Sequence, residues 1–252
     1  AGEMLQVGAD RIGSDRAAAA REIVTVAIDA LEAAGIGPVT LDFTLPDVVD
    51  LLANGPLPVA ANIDELRDEL DAKDAGALAR LGADAYLPLL RATGPSDQAI
   101  ADLRAFDTAG VLTGRIDAIE AIAAPVRGRV TLTLDPTERH GFAYQSWFGF
   151  QIFVPGQGDA IGRGGGYAIP VGEEHEEAAV GFSLYPDPLI DEGLGAEDDA
   201  ERRIFLPLGH DAVRAAGPRA DGWQTVAARS DGDDARALGC GFTLGADGPV
   251  EV

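Results

Sequence analysis

A single cysteine, Cys240, stands in 252 residues. No internal disulfide can form, and the chain reads as the product of a reducing compartment, the cytoplasm. A lone cysteine usually serves as a small core residue rather than as a nucleophile. No apolar run reaches the ~20 residues that span a bilayer. Cations are scarce as well: 19 Lys and Arg stand against 42 Asp and Glu, a formal net charge of −23. Nucleic acid is bound through clustered cations that displace counterions. This charge balance therefore argues against tRNA or DNA and for a small-molecule or protein partner, or it simply keeps the chain soluble. The three histidines, His140, His175 and His210, lack the short spacing of a zinc pair, so no metal is expected. His175 sits in the acidic run Glu173-Glu174-His175-Glu176-Glu177 and reads as solvated. Carboxylates are too abundant for any pair of them to mark an acid–base couple.

What is present supports a packed core, with 46% hydrophobic residues. Residues 3–13 alternate polar and apolar and read as a strand. A helix is predicted from Asp15 to Ala34, capped by Ser14, with Ile23, Ala27, Leu31 and Ala34 in one stripe and Gly35 as its stop. Val39 to Leu45 reads as a strand, and Pro46 starts a short helix through Leu52. Asn62 and Glu65 have capping-box spacing, so a helix begins near Ile63. The text to Ala124 is mostly helical, broken at Gly94-Pro95-Ser96.

Beyond Pro125 the texture turns to strands, at 129–134, 142–146, 148–154, 161–169 and 178–185, with a hairpin turn over 155–159. The prediction is an α+β fold, an antiparallel sheet flanked by helices, over residues 1–190. Residues 191–202 read as an acidic linker. Residues 203–252 form a small α/β unit: strands at 203–208, 224–227 and 241–244, with helices near Asp211 and Asp234. Gly162-Arg-Gly-Gly-Gly166 sits between strand-like segments and has no Lys-Ser/Thr to close a phosphate loop. Its glycines read as strand positions that something approaches closely. Arg139, His140, Tyr144, Ser146 and Trp147 crowd one β-rich stretch with Gln151, and Tyr167 lies on the next strand. They line a small-molecule pocket, or they divide into core aromatics and solvated polar groups.

These blocks carry a resemblance. Arg139-His-Gly-Phe-Ala-Tyr-Gln-Ser-Trp-Phe-Gly-Phe-Gln-Ile-Phe153 resembles the histidine-specific segment R-G-L-D-Y-Y-T-G-x-x-F-E of histidyl-tRNA synthetases. Gly164-Gly-Gly-Tyr167 is similar to their G-G-R-Y-D. Val180-Gly-Phe-Ser-Leu-Tyr-Pro-Asp-Pro-Leu189 resembles class II motif 3, G-F-x-x-G-x-E-R-L, and Gln6-x-Gly8-x-Asp10 resembles the end of motif 2. The departures fall on charge. Pro188 stands where the motif 3 arginine would be, Gly166 replaces the arginine of G-G-R-Y-D, Ala168 its aspartate, and Gln151 the glutamate of F-E. Proline makes no charge-assisted contact to phosphate.

A synthetase-like scaffold without ATP chemistry is similar to the regulatory subunits of ATP phosphoribosyltransferase, above all the alphaproteobacterial form. The resemblance implies a class II synthetase-like core whose N-terminal part, with motif 1, is missing. It also implies no catalysis, no cofactor and no metal. The implied ligand is L-histidine as feedback effector of the first step of histidine biosynthesis. The implied partner is the short-form catalytic subunit, activated within a hetero-oligomer in which this chain self-associates, without nucleic acid or membrane. By position, Gln6 and Asp10 would hold the ligand's α-amino group and Tyr144 and Tyr167 its imidazole. Arg139 would replace the displaced arginine, and Ser146 would add a hydroxyl. The alternatives are an active histidyl-tRNA synthetase or a synthetase-like binding protein with another partner.

Overall fold

The structure is a computed structural model that describes residues 5–14, 16–139, 146–171, 175–191, 203–246 and 248–252. The chain divides between Leu194 and Gly195 into two compact units. In the larger unit β1 (Val7–Ile12) leads into α1 (Ala17–Ala33) and β2 (Thr40–Thr44). A helical excursion follows: α2 (Val48–Ala53), α3 (Ile63–Asp71), α4 (Ala75–Arg80) and α5 (Leu87–Arg91). The two-residue β3 (Gly94–Pro95), α6 (Ser96–Phe106) and α7 (Thr113–Ala123) complete it. The unit closes with β4 (Thr131–Leu134), β5 (Gly149–Phe153), β6 (Gly162–Pro170), β7 (Glu176–Leu184) and α8 (Asp187–Asp191). Seven strands form one sheet in the order β1-β7-β6-β5-β2-β4-β3. It is antiparallel throughout except where β2 runs parallel to β4. The helical excursion explains that exception, because a parallel neighbour needs a long crossover.

α1 buries Ile23, Val24, Ala27, Ile28 and Leu31, the 3.6-residue period of a helix lying on a sheet. Gly35 ends it with φ 72° and donates its N–H to Glu32 O at 2.9 Å. Two details differ from the sequence reading. The N-cap is Arg16, with no side-chain cap, because Gly13 still pairs its N–H with Ala178 O and Ser14 is used up in the turn. Ala34 is the exposed C-cap, past the last position the sheet can cover. α2 likewise starts after Asp47 rather than at Pro46. At α3 the cap is as the sequence suggests, with Asn62 Oδ1 accepting the Asp64 N–H at 2.9 Å. Gly94-Pro95 breaks the helical run by pairing with β4.

One hydrophobic cluster joins the helices to one face of the sheet. Leu41 and Phe43 of β2, Phe150 and Ile152 of β5, and Val180 of β7 are all fully buried in it. Of the expected strand at 142–146, residues 142–145 lie outside the described residues, as does most of the expected acidic linker, 192–202. Among the described residues no helix is long and apolar enough to cross a membrane.

The smaller unit contains β8 (Arg203–Leu206), α9 (Ala212–Ala220), β9 (Gln224–Ala227), β10 (Phe242–Leu244) and β11 (Pro249–Glu251). Its sheet order is β11-β10-β8-β9, with β8 parallel to both neighbours and β11 antiparallel to β10. Asp211 caps α9 by accepting the Val213 N–H at 2.7 Å. Ile204 and Leu206 pack with Ala215 on one side of the sheet, and Phe205 packs with Ala235 and Cys240 on the other. The helix expected near Asp234 is absent, and turns occupy that stretch. Asp233 accepts from the Arg229 and Ser230 amides and the Ser230 hydroxyl, and Asp234 accepts from the Ala237 amide. Such local side-chain bonds offer the backbone an alternative to helix.

Phe43 is fully buried at the centre of the larger core. Phe43→Ala is expected to lower unfolding free energy by about 3–5 kcal/mol, read as an earlier urea midpoint. Val26→Ala, at a position 43% exposed, is expected to shift it by less than about 0.5 kcal/mol.

Candidate binding site

Strand alternation gives the sheet two unlike faces. Leu41, Phe43, Phe150, Ile152 and Val180 point at the helices. The alternate positions carry polar groups. Register aligns Gly8, Ser183, Arg163, Gln151, Asp42 and Thr133 in one row across six strands. Asp10, Gly181 and Gly165 form the adjacent row.

A cavity of about 270 Å³ opens on this polar face over β1, β7 and β6. Gln6, Asp10 and Tyr167, all singled out by sequence, line it together with Arg163, Ser183 and Tyr185, which were not. Tyr167 donates its hydroxyl to Asp10 Oδ1 at 2.5 Å. Gln6 Nε2 donates to Ser183 Oγ at 2.8 Å. Arg163 Nε donates to the Tyr185 hydroxyl at 3.0 Å, and its guanidinium carbon lies 5.0 Å from the centre of the Tyr185 ring, a cation–π arrangement. Arg163 and Tyr185 also wall a second cavity of about 400 Å³ that reaches Gln151 and Asp159.

The floor of the first cavity is bare because glycine forms it. A Cβ on Gly181 would stand 1.9 Å from Asp10 Oδ1, so the Asp10 carboxylate can lie across β7 only while position 181 has no side chain. The glycine-rich run is part of β6, consistent with its reading as strand.

Arg139 and Ser146, also singled out by sequence, lie elsewhere. Arg139 donates its N–H to Asp71 Oδ1 at 3.0 Å and Nη1 to Asp68 Oδ1 at 3.2 Å. It lines a crevice with Pro46 and Thr137 rather than the cavity, because α3 presents two carboxylates one turn apart. Ser146 donates its N–H to Gly166 O at 2.8 Å. Its hydroxyl oxygen lies 2.8 Å from where a Cβ on Gly166 would stand, and position 166 points to the face opposite Tyr167. His140 and Tyr144 lie outside the described residues. The missed residues had a signal: period-2 alternation back from Tyr167 puts Arg163 on the cavity face. Ser183 and Tyr185 alternate in the same way within the motif 3-like block.

Further along the polar row, Asp42 accepts from Thr133 Oγ1. Burial holds its carboxyl above the usual carboxylate range. The Thr133 bond opposes that shift, the Asp135 charge adds to it, and Lys73 opposes it again. What the whole arrangement offers a ligand is a carboxylate, a guanidinium turned against a phenol ring, two phenols, an amide and a hydroxyl around a space the size of an amino acid. An ammonium group and a ring with a hydrogen-bonding nitrogen would both find partners there.

The family model for histidyl-tRNA synthetase matches residues 1–189. A protein of Rhodospirillum centenum named "ATP phosphoribosyltransferase regulatory subunit" is 35% identical, over 98% of this chain and 65% of its own length. A Rhodospirillum rubrum protein of the same name is 34% identical, over 99% and 67%. The chain thus spans about two thirds of the length of these relatives. Among solved structures, histidyl-tRNA synthetase of Nostoc sp. PCC 7120 superposes with a TM-score of 0.70 at 15% identity, covering 97% of this chain and 67% of that one. A chain of the ATP phosphoribosyl transferase (HisG:HisZ) complex of Thermotoga maritima gives 0.56 at 16%, covering 72% and 66%. The fold is class II synthetase-like.

A folded-state pKa above the unfolded value means that Asp42 adds stability when protonated and loses that contribution as pH rises through the folded pKa. Asp42→Asn is therefore expected to raise the urea midpoint at pH 7 relative to the unsubstituted chain. The advantage should shrink as pH falls towards the ordinary carboxylate range. A midpoint at pH 7 that is lowered, or a difference independent of pH, would contradict this account of Asp42.

Proposed function

The chain belongs to the histidyl-tRNA synthetase family, and within it we propose that the chain is a non-catalytic regulatory subunit of ATP phosphoribosyltransferase that senses L-histidine. What supports this reading is a polar cavity lined by the residues that the amino-acid-binding motifs assign, together with the loss of the motif 3 arginine. Asp10, Gln6 and Tyr167 converge on one cavity, whereas the motif 3 position that would carry the arginine is Pro188, in the first turn of α8. ATP activation requires fixed cations where charge develops on the phosphates. Among the described residues Arg163 is the cation that lines the cavity, and it is turned against Tyr185. The names of the curated relatives support the same reading.

In this proposal the α-ammonium of histidine takes the place of the Tyr167 hydroxyl on Asp10, with Gln6 beside it. A carboxylate binds an ammonium more strongly than a neutral phenol. The released Tyr167 hydroxyl can then meet an imidazole nitrogen, and by motif position Tyr144 is the second aromatic assigned to the ring. Histidine favours one arrangement of the assembled enzyme by binding it more tightly than the other, the sole way a ligand shifts an equilibrium. The partner is the short-form catalytic subunit, in a cytoplasmic hetero-oligomer in which this chain also self-associates. Net charge −23 sets the chain against tRNA, which favours this reading over an active synthetase.

Calorimetric titration of the chain with L-histidine is expected to give saturable heat. Asp10→Asn should weaken the affinity about tenfold or more, as loss of a charged hydrogen bond does. ATP–pyrophosphate exchange with histidine should stay at background, and the chain should co-purify with a phosphoribosyltransferase catalytic chain. Histidine-dependent exchange would restore the synthetase reading, and a flat titration would remove histidine as the ligand.

A further inference from the structure

Histidine carries three groups that a site can grip: an ammonium, an imidazole and a carboxylate. Asp10, Gln6 and Tyr167 answer the first two, and none of them is a cation. Arg139, which motif position would put in place of the displaced arginine, is held by Asp68 and Asp71 of α3. It lines a different crevice. A carboxylate taken out of water needs a cation or several donors to meet it.

Arg163 stands where that carboxylate falls. Of the described residues that line the cavity, it is the cation. The Asp10 carboxylate reaches over β7 to Gly181. Gly181 is in register with Gly165 on β6. Arg163 lies two residues before Gly165 on the same strand, hence on the same face. Strand spacing and rise put about 8 Å between the backbone positions of Gly181 and Arg163. An α-amino acid holds its ammonium and its carboxylate on one carbon, so the anion and the cation that grip it must face each other across a short gap. The arginine stem and the ligand together fill this one.

Two neighbours prepare the guanidinium for that task. Tyr185 accepts from Arg163 Nε at 3.0 Å and lays its ring 5.0 Å from the guanidinium carbon, which fixes the side chain against the cavity wall. A carboxylate is a stronger acceptor than a phenol and matches the guanidinium fork with two parallel N–H bonds. Ser183, in register with Arg163, accepts from Gln6 Nε2 at 2.8 Å. Its own proton can then meet a carboxylate oxygen.

We propose that Arg163 recognises the α-carboxylate of the ligand, with Ser183 beside it and Tyr185 as its support. It makes the site selective for an α-amino acid over the amine that lacks the carboxyl group. This inference rests on the histidine reading above and adds to it a residue that the motifs do not assign.

Histamine is the probe, because it keeps the ammonium and imidazole of histidine and lacks the carboxylate. By calorimetric titration the unsubstituted chain is expected to bind L-histidine about tenfold or more tightly than histamine. Arg163→Gln is expected to weaken histidine by about that factor and to leave histamine within about twofold, so that the preference collapses. Arg163→Lys keeps the charge without the fork and should recover part of it. In the unsubstituted chain, modification of Arg163 by a dicarbonyl reagent, mapped by peptide, should slow severalfold with saturating histidine and not with histamine. The proposal is overturned if the unsubstituted chain binds both ligands equally, or if a folded Arg163→Gln chain keeps the preference or loses both ligands alike. It is also overturned if histidine slows the dicarbonyl reaction at Arg163 no more than histamine does. A flat histidine titration of the unsubstituted chain is a separate result, which removes the ligand reading itself and this inference with it.

Discussion

The carboxylate of Asp10 lies across β7 because position 181 carries no side chain, and the candidate site is arranged around that close approach. Gly165, in register with Gly181 on the next strand, extends the bare floor. Polar side chains stand around it at alternate positions: Gln6 and Asp10 on one edge, Ser183 between, Arg163 and Tyr167 on the far side. A strand without side chains is poor at packing and costs backbone entropy. That cost is offset on the other face of β7, where Val180, Phe182 and Leu184 are buried in the core, and on the neighbouring β5, where Phe150 and Ile152 are. Stability and ligand recognition are thereby assigned to opposite faces of one sheet.

The polar face does not end at the cavity. Arg163 and Tyr185 form a wall shared with a second space, and beyond it the row continues through Gln151, Asp42 and Thr133 to the Asp135–Lys73 ion pair. Asp42 meets Thr133 and Asp135 meets Lys73, as buried polar groups in a low-dielectric setting must find partners. The excursion of helices between β2 and β4 has two consequences. It allows the single parallel pairing in the sheet, and it brings α3 against the chain leaving β4.

Much of this was legible in the sequence wherever the cause is local. The period of Ile23, Ala27 and Leu31 and the glycine at 35 bounded α1 closely, and the residue types of 224–227 marked β9. The capping side chains of Asn62 and Asp211 act within three residues of themselves. The expected helix at Asp234 failed for an equally local reason, since Asp233 and Asp234 bond to amides of their own turns. β3 and β11 are two and three residues long and exist only through their partners. In the site, the Gln6–Asp10 spacing and Tyr167 were visible through the motifs they resemble. Arg163 and Ser183 come together only when β6 and β7 pair in register, information that sequence spacing does not carry. Arg139 was drawn off by carboxylates on a helix some seventy residues earlier, which no local pattern announces.

The central claim is that an unobstructed Asp10 carboxylate is what the ligand binds. Gly181→Ala tests it, because the added methyl would stand 1.9 Å from Asp10 Oδ1 and 2.9 Å from the Ala9 carbonyl oxygen, so the carboxylate must swing aside while the β1–β7 pairing eases slightly. The account predicts a histidine affinity reduced about tenfold or more by displacement of that carboxylate, with secondary structure and melting cooperativity retained. Undiminished affinity in a folded Gly181→Ala chain would contradict it.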